Sequence, residues 1–159
     1  MPTLQEAPAA LSPEEETLEA AYRRAQTQRL GYGGDIDPVT AWSLVSSGRA
    51  KLVDVRTAEE LKYVGQVPGS GHAPWVQGLP MAPNPDFLRQ LGEHASRDDT
   101  VLLLCRSGKR SVAAAQTATR AGYQRVFSIL EGFEGDLDAT RHRGGSNGWR
   151  FRQLPWTQE

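Results

Sequence analysis

The amino-acid sequence of this 159-residue chain contains a single cysteine, no strong excess of either charge and no long hydrophobic run. One cysteine excludes an internal disulfide and a metal site built from several thiolates, which leaves packing, pairing with another molecule or reactivity as its roles. A formal net charge of -1 provides no overall field to attract nucleic acid or a membrane, so any cationic site must be local. No segment approaches the roughly 18 apolar residues that span a bilayer, and the N-terminus lacks the basic start and apolar stretch of a signal peptide. We therefore expect a cytoplasmic protein without nucleic-acid or membrane partners.

The chain length suits one domain with short appendages. Ser12, Pro13 and Glu15 form a capping box with proline at the first helical position, which predicts a helix near residues 13–30. The glycine-rich stretch that follows indicates a linker. We therefore divide the chain into three parts: an N-terminal helical extension with its linker at 1–35, a domain at 36–138, and a C-terminal tail at 139–159.

Short apolar runs alternate with helical patterns through the predicted domain. Strands are predicted at 51–55, 100–104 and 125–129. Helices are predicted after Asp37, after Thr57, after Asn84 and from Ser111 to Ala121. This alternation predicts an α/β fold, a parallel sheet flanked by helices. In such sheets ligands bind beyond the carboxyl ends of the strands, and Cys105 directly follows the most apolar run.

The lone cysteine opens a short cationic loop, CRSGKRS, between that strand and an alanine-rich helix. Gly108 supplies the freedom that a tight turn needs, and Ser111 is a plausible helix cap. Backbone amides in such a turn form a cradle for an anion. The positive end of the helix and the flanking cations both favour the thiolate. We therefore interpret Cys105 as a reactive nucleophile in preference to the alternative, a small buried hydrophobic residue.

The sequence of this loop does not fit two other motifs that bind phosphate. A phosphate-binding P-loop requires glycine where Leu103 stands and serine or threonine where Arg110 stands. A tyrosine-phosphatase loop requires an arginine six positions after the cysteine, and that position is Ser111. The loop is therefore one residue short for a phosphate.

The segments CRSGKRS, LVDVRTAEE, GQVPGSGHAP and LEGFEG together resemble a single-domain rhodanese, a thiosulfate sulfurtransferase, over about residues 36–138. The resemblance implies the rhodanese-like fold, with the extra N-terminal helix added to it. It also implies that Cys105 accepts sulfane sulfur as a persulfide, without a cofactor or a metal. The substrate-binding residues that it implies follow the cysteine: Arg106, Ser107, Gly108, Lys109, Arg110 and Ser111. Asp54 and Arg56 match the Asp-Val-Arg segment of the family, where we expect a structural charge pair. The sequence departs from the family pattern at Gln66, where the family commonly has histidine. The resemblance therefore does not determine one hydrogen bond of that turn.

The predicted function is therefore a sulfurtransferase that moves sulfur from a small anionic donor such as thiosulfate to a thiophilic acceptor in two displacements. We expect Arg106 and Lys109 to favour a dianionic donor more strongly than Arg110 does. A persulfide carrier that serves a protein acceptor remains an alternative, as do a cysteine-dependent phosphatase or arsenate reductase and a non-catalytic binding module.

The remaining unusual residues predict no metal site and a packed tail. The three histidines, His72, His94 and His142, share no metal-ligand spacing, although the turn that carries His72 is expected near the loop. The tail is too apolar to extend into water, so we expect four of its side chains to fold back on the domain: Trp149, Phe151, Leu154 and Trp156.

Overall fold

The structure, a computed structural model, describes residues 10–159, so the first nine residues of the predicted N-terminal extension lie outside the described residues. The helices are α1 (Pro13–Thr27), α2 (Pro38–Ser46), α3 (Ala58–Tyr63), α4 (Phe87–Gly92) and α5 (Lys109–Arg120). The strands are β1 (Asp35–Ile36), β2 (Lys51–Asp54), β3 (Gly71–His72), β4 (Val76–Gln77), β5 (Ala82–Pro83), β6 (Thr100–Leu104) and β7 (Arg125–Ile129). None of the helices in residues 10–159 combines the length and the apolar character that a bilayer crossing demands.

Five strands form one parallel sheet in the order β1-β7-β6-β2-β3, and β4 with β5 form a separate antiparallel hairpin. The prediction of a parallel sheet flanked by helices is confirmed. The central strand β6 is apolar because both of its faces are covered, and residues 101–104 are fully buried. Burial of each such side chain contributes about 1.5–3 kcal/mol to folding.

The two faces of β6 pack against different helices. Val101, Leu103 and Cys105 lie in a core cluster with the alanines of α5. Leu102 and Leu104 lie in the other cluster, which includes residues of α1 and α2. Because side chains alternate along a strand, the odd positions of β6 place Cys105 on the α5 face.

The capping boxes predict the helix starts well. Ser12 accepts a hydrogen bond from the Glu15 amide, and the Glu15 side chain accepts one from the Ser12 amide, as predicted for α1. Thr57 and Glu60 form the same arrangement at α3. Leu18 and two alanines of α1 are buried against the domain. The extra N-terminal helix is therefore present, and it ends at Thr27.

The stretch predicted as a linker, residues 31–35, lies against the sheet, and its last residue begins β1. Tyr32 is buried and donates a hydrogen bond to the carboxylate of Asp35, which pairs with Ser128 as part of β1. The Gly33 amide donates to the Val126 carbonyl, and a β-carbon at Gly33 would lie 2.7 Å from that oxygen. Glycine is needed here for a close approach between backbones, which local composition does not distinguish from flexibility.

The helix predicted to begin at Ser111 begins earlier. The structure places α5 from Lys109, with Gly108 at its N-cap in the left-handed conformation (φ +102°) and no side-chain cap. The interpretation of Ser111 as the cap is therefore wrong, because a glycine turn sets the start of the helix. Ser111 lies inside the first turn and is fully buried.

The C-terminal tail lies against the domain. Trp149 is fully buried, packs edge-on against Trp42 at 5.9 Å and donates from its indole to the Pro155 carbonyl at 2.9 Å. Leu154 packs against the core cluster that contains Trp149 and Leu104. Trp156 stacks edge-on with Phe133, although it is 39% exposed. The fourth residue of the predicted set, Phe151, is 42% exposed.

Candidate functional site

The nucleophile candidate lies at the carboxyl end of the central strand, where the chain turns from β6 into α5. Cys105 is 1% exposed. Its Sγ accepts a hydrogen bond from the Gly108 amide at 3.1 Å and lies 3.3 Å from the Ser111 hydroxyl oxygen. Because Gly108 has a positive φ, the chain folds its amide back toward the sulfur. The turn therefore holds the sulfur by a main-chain donor and by a side-chain hydroxyl at once.

A second serine, Ser128, contacts the Ser111 hydroxyl. The hydroxyl oxygens of Ser111 and Ser128 are 2.7 Å apart, and both side chains are buried. Ser128 comes from β7, the strand beside β6. The structure thus adds Ser128 to the surroundings of Cys105, although no local sequence pattern singles it out.

Four backbone amides of the loop have no acceptor among residues 10–159, and they belong to Arg106, Ser107, Lys109 and Arg110. They are the amides that the sequence predicts to form an anion cradle together with that of Gly108. Lys109 is exposed, and the Nε atom of Arg106 is buried without a hydrogen-bond partner in the described part of the chain. Arg106 and Lys109 therefore keep their charge available to an anion at the loop.

Arg110 differs from the other two cations. Its guanidinium donates two hydrogen bonds to the carboxylate of Glu60, at 2.7 and 2.8 Å, and both side chains are mostly buried. The side chain ties the start of α5 to α3, and its charge is paired with that of Glu60. Its place among the substrate-binding residues stays a prediction. The first turns of the two helices meet here, but the two residues lie 50 positions apart in the sequence, so no local pattern announces the contact.

The Glu60–Arg110 pair is electrostatically strong. Burial works to raise the pKa of the Glu60 carboxyl, but hydrogen bonds from Arg110 and the Thr57 amide outweigh it and hold the pKa below its ordinary value of 4.5. The hydrogen bonds to Glu60 in turn raise the pKa of Arg110. Both groups are thus charged at neutral pH.

The predicted charge pair of Asp54 and Arg56 is fully buried and bidentate, with N–O distances of 3.0, 3.2 and 2.7 Å. Arg56 also donates to the Gly65 carbonyl at 2.8 Å, and its guanidinium carbon lies 4.1 Å from the centre of the Phe133 ring. The Phe133 amide donates to the Cys105 carbonyl at 2.8 Å. The pair therefore supports the turn through Phe133 and does not itself contact the sulfur.

The segment after β7 backs the loop closely. The Glu134 amide donates to the Arg106 carbonyl at 3.0 Å. A β-carbon at Gly132 would lie 2.4 Å from the carbonyl carbon and oxygen of Arg106, and Gly132 has φ +70°. Only glycine satisfies both the conformation and the close approach. The segment 131–135 therefore presses directly on the backbone that carries the nucleophile.

The tail in turn holds this backing segment. The Trp149 amide donates to the Gly132 carbonyl at 2.8 Å, and the Gly148 amide donates to the Glu131 carboxylate at 2.8 Å. Arg152 adds an ion pair to the same carboxylate at 3.0 Å. The sequence predicts a packed tail but not this support, because these contacts join segments that are distant in the chain.

The histidines remain apart from this arrangement. His72 contacts the Arg56 carbonyl at 2.8 Å and neighbours His94, whereas His142 contacts Thr140. Within residues 10–159 no three potential metal-ligating side chains gather as they would around an ion.

The sequence of this chain also matches a known family of domains. A family model for rhodanese-like domains matches residues 37–139. The chain is 36% identical over 117 residues to an uncharacterised protein of Rickettsia prowazekii, a match that covers 71% of this chain and 87% of the relative. It is 32% identical over 100 residues to the chloroplastic thiosulfate sulfurtransferase 16 of Arabidopsis thaliana, a match that covers 62% of this chain and 82% of the relative.

Solved structures have the same fold. The crystal structure of Rv0390 from M. tuberculosis is 41% identical in sequence with a TM-score of 0.73, over 80% of this chain and 99% of that chain. The solution structure of a polysulfide-sulfur transferase homodimer from Wolinella succinogenes matches with a TM-score of 0.56 over 93% of this chain and 95% of that chain. At 17% identity, the second match speaks for the fold alone.

Proposed function

Because the chain belongs to the family of rhodanese-like domains, a family of sulfurtransferases, we propose that it transfers sulfane sulfur from a small anionic donor such as thiosulfate through a persulfide on Cys105. The observation that carries this proposal is the position of the Cys105 sulfur, at the end of β6, facing the Gly108 amide and the Ser111 hydroxyl. The cytoplasmic location expected from the sequence belongs to the same proposal, and cell fractionation tests it.

The first displacement uses the Cys105 thiolate as the nucleophile. Its lone pair attacks the outer sulfur of thiosulfate, the S–S bond of thiosulfate breaks, and its electron pair leaves with sulfite. The product is a persulfide anion on Cys105. In the second displacement a thiophilic acceptor attacks the outer persulfide sulfur, and the Cys105 thiolate leaves. In each step the electron pair of the broken S–S bond leaves with the departing sulfite or thiolate, so neither step needs an added oxidant or reductant.

The loop contributes binding and charge stabilisation. The free amides of Arg106, Ser107 and Lys109 supply donors for the oxygens of the donor or for the persulfide anion. Backbone donors fixed in a turn require little reorganisation during the reaction, which is why they stabilise developing charge efficiently. Phosphate transfer is disfavoured because the loop is one residue shorter than the phosphatase loop.

A mass measurement tests this mechanism. After incubation with thiosulfate and removal of excess donor, we expect the intact protein to gain the mass of one sulfur atom, and peptide mapping to place it on Cys105. The Cys105→Ser variant is the matched control. An unmodified wild type, or an equal adduct on Cys105→Ser, would contradict the proposed function.

The charge of the donor is expected to matter through Arg106 and Lys109. Thiosulfate carries two charges and 3-mercaptopyruvate one carboxylate, so loss of one nearby cation costs thiosulfate more. At about 5 Å and an effective dielectric constant of about 20, a charge pair is worth at most roughly 3 kcal/mol, and about half remains after desolvation. Lys109→Ala or Arg106→Ala should therefore lower kcat/KM for thiosulfate about tenfold.

Steady-state kinetics with both donors measures this effect. Arg120→Ala is the matched control, because Arg120 is an exposed cation at the opposite end of α5. Equal losses with the two donors would mean that the cations act on the cysteine and do not distinguish the donor.

A further inference from the structure

Ser128, the buried serine of β7, is a polar side chain in an apolar surrounding. It is 1% exposed, and Val126 on the same strand face lies in the apolar cluster that contains Leu103 and Cys105. Buried hydroxyl groups are almost always hydrogen-bonded. Among residues 10–159, the one partner of the Ser128 hydroxyl is the Ser111 hydroxyl, 2.7 Å away.

The number of available protons determines the direction of this hydrogen bond. Each serine hydroxyl carries one proton and can accept two further hydrogen bonds. If Ser111 donated to Ser128, the proton of Ser128 would be buried without an acceptor, which is costly. The arrangement in which every proton has an acceptor is therefore Ser128 donating to Ser111, and Ser111 donating to the Cys105 sulfur at 3.3 Å.

This direction suits one state of the cysteine. A thiolate accepts hydrogen bonds and has no proton to donate, so it is satisfied by the Gly108 amide and the Ser111 hydroxyl together. If a thiol donated its proton to Ser111 while Ser128 did the same, the proton of Ser111 itself would have no acceptor among residues 10–159. The two serines therefore form a chain of donors directed at the sulfur.

We propose that Ser128 is a positioning residue for the nucleophile: it holds the Ser111 hydroxyl with its proton toward Cys105 and thereby stabilises the thiolate. The inference rests on the proposed function in taking the thiolate as the attacking and leaving group. Ser128 contacts neither donor nor acceptor and acts only through Ser111.

The test uses alkylation of Cys105 by iodoacetamide, measured as a rate constant across pH. Ser128→Thr keeps the hydroxyl and Ser128→Val replaces it with a methyl group of similar shape. We expect Ser128→Val to alkylate about fivefold more slowly than Ser128→Thr at neutral pH, because the Ser111 hydroxyl, no longer held by Ser128, donates less well to the anion. At the high-pH plateau, where every molecule is a thiolate, the two rates should agree within about twofold.

Two further variants separate positioning from general damage. In a Ser111→Ala background, Ser128→Val should have no additional effect on the pH profile, since the path to sulfur is already interrupted. If threonine or valine prevents folding, as judged by circular dichroism, Ser128→Ala removes the hydroxyl without adding atoms. Superimposable profiles for folded hydroxyl and non-hydroxyl variants, or an undiminished effect of Ser128→Val without Ser111, would overturn the proposal.

The readout is independent of sulfur transfer, because iodoacetamide replaces the donor. A shifted alkylation profile with no persulfide on the wild type would reject the proposed function and keep the role of Ser128. A persulfide on the wild type, together with an alkylation profile that the Ser128 substitutions do not shift, would support the proposed function and reject the role of Ser128.

Discussion

The two extensions of the rhodanese-like domain pack against the same apolar cluster but reach opposite ends of the sheet. Leu18 of α1 and Trp149 of the tail both lie in the cluster that contains Leu104. The N-terminal helix is anchored by an ion pair from Glu19 to Arg125, the first residue of β7. The tail is anchored on residues 131–135, which follow the last residue of β7.

Their connections to the nucleophile differ accordingly. From Trp149, a backbone hydrogen bond leads to Gly132, and the next residue, Phe133, donates to the Cys105 carbonyl. The contacts of α1 lead to α2, to the edge strand β1 and to Arg125, the first residue of β7. Equal burial therefore does not mean equal influence: both extensions stabilise the fold, and only the tail also supports the geometry of the loop.

The largest expected effect comes from Trp149→Ala, which removes the largest fully buried side chain of the molecule as described. We expect a loss of about 3–5 kcal/mol in the free energy of unfolding. We also expect slower persulfide formation per folded molecule, because Gly132 and the Arg106 backbone lose their backing. Chemical denaturation and stopped-flow persulfidation measure the two effects.

Phe151→Ala is the matched control for this prediction, since it removes a tail aromatic that is 42% exposed. It should leave the persulfidation rate within about twofold of wild type. A Trp149→Ala protein that is destabilised but reacts at the wild-type rate would show that the tail, like α1, stabilises the fold without supporting the loop.

A smaller effect, on stability alone, is expected from Leu18→Ala in α1. Leu18 is 5% exposed, so its truncation should cost about 2–3 kcal/mol in the free energy of unfolding. The persulfidation rate of the folded fraction should remain within about twofold of wild type, as the location of α1 requires. A rate loss comparable with that of Trp149→Ala would mean that support reaches the loop from both ends of the sheet.

The smallest expected effect concerns the Glu60–Arg110 pair between α3 and α5, which involves neither extension. Because folding lowers the Glu60 pKa, its stabilising contribution is complete above the ordinary value of 4.5 and is lost as the pH falls through the lower folded-state pKa. Glu60→Gln should therefore be less stable than wild type at neutral pH, and the difference should narrow below about pH 4. Urea unfolding of both proteins across pH measures it; a constant difference down to about pH 3 would argue against the pair.

The sequence predicts those features that local chemistry determines. The capping box at Ser12, the helix start after Thr57, the buried strand β6 and the cysteine at its end all follow from neighbouring residues. Because ligands bind beyond the carboxyl ends of parallel strands, the order of elements along the chain is enough to place the turn at the binding edge of the sheet.

The features that the sequence does not reveal are contacts between distant segments. Glu60 and Arg110 lie 50 positions apart, and Ser111 and Ser128 lie 17 apart. The glycine at position 33 indicates a linker by composition, yet it is required by a close backbone approach to Val126. Such positions become interpretable only through the sheet order β1-β7-β6-β2-β3, since that order brings them together.

The support of the loop by the tail has a consequence for biosynthesis. Chains emerge from the ribosome from the N-terminus, so α1, the sheet and Cys105 are all released before Trp149. A nascent or prematurely terminated chain therefore carries the thiol and its turn without the residues that hold residues 131–135 in place. We therefore expect the surroundings of Cys105 to be complete only after residues 148–154 are released, and a chain that stops short of them to lack this support.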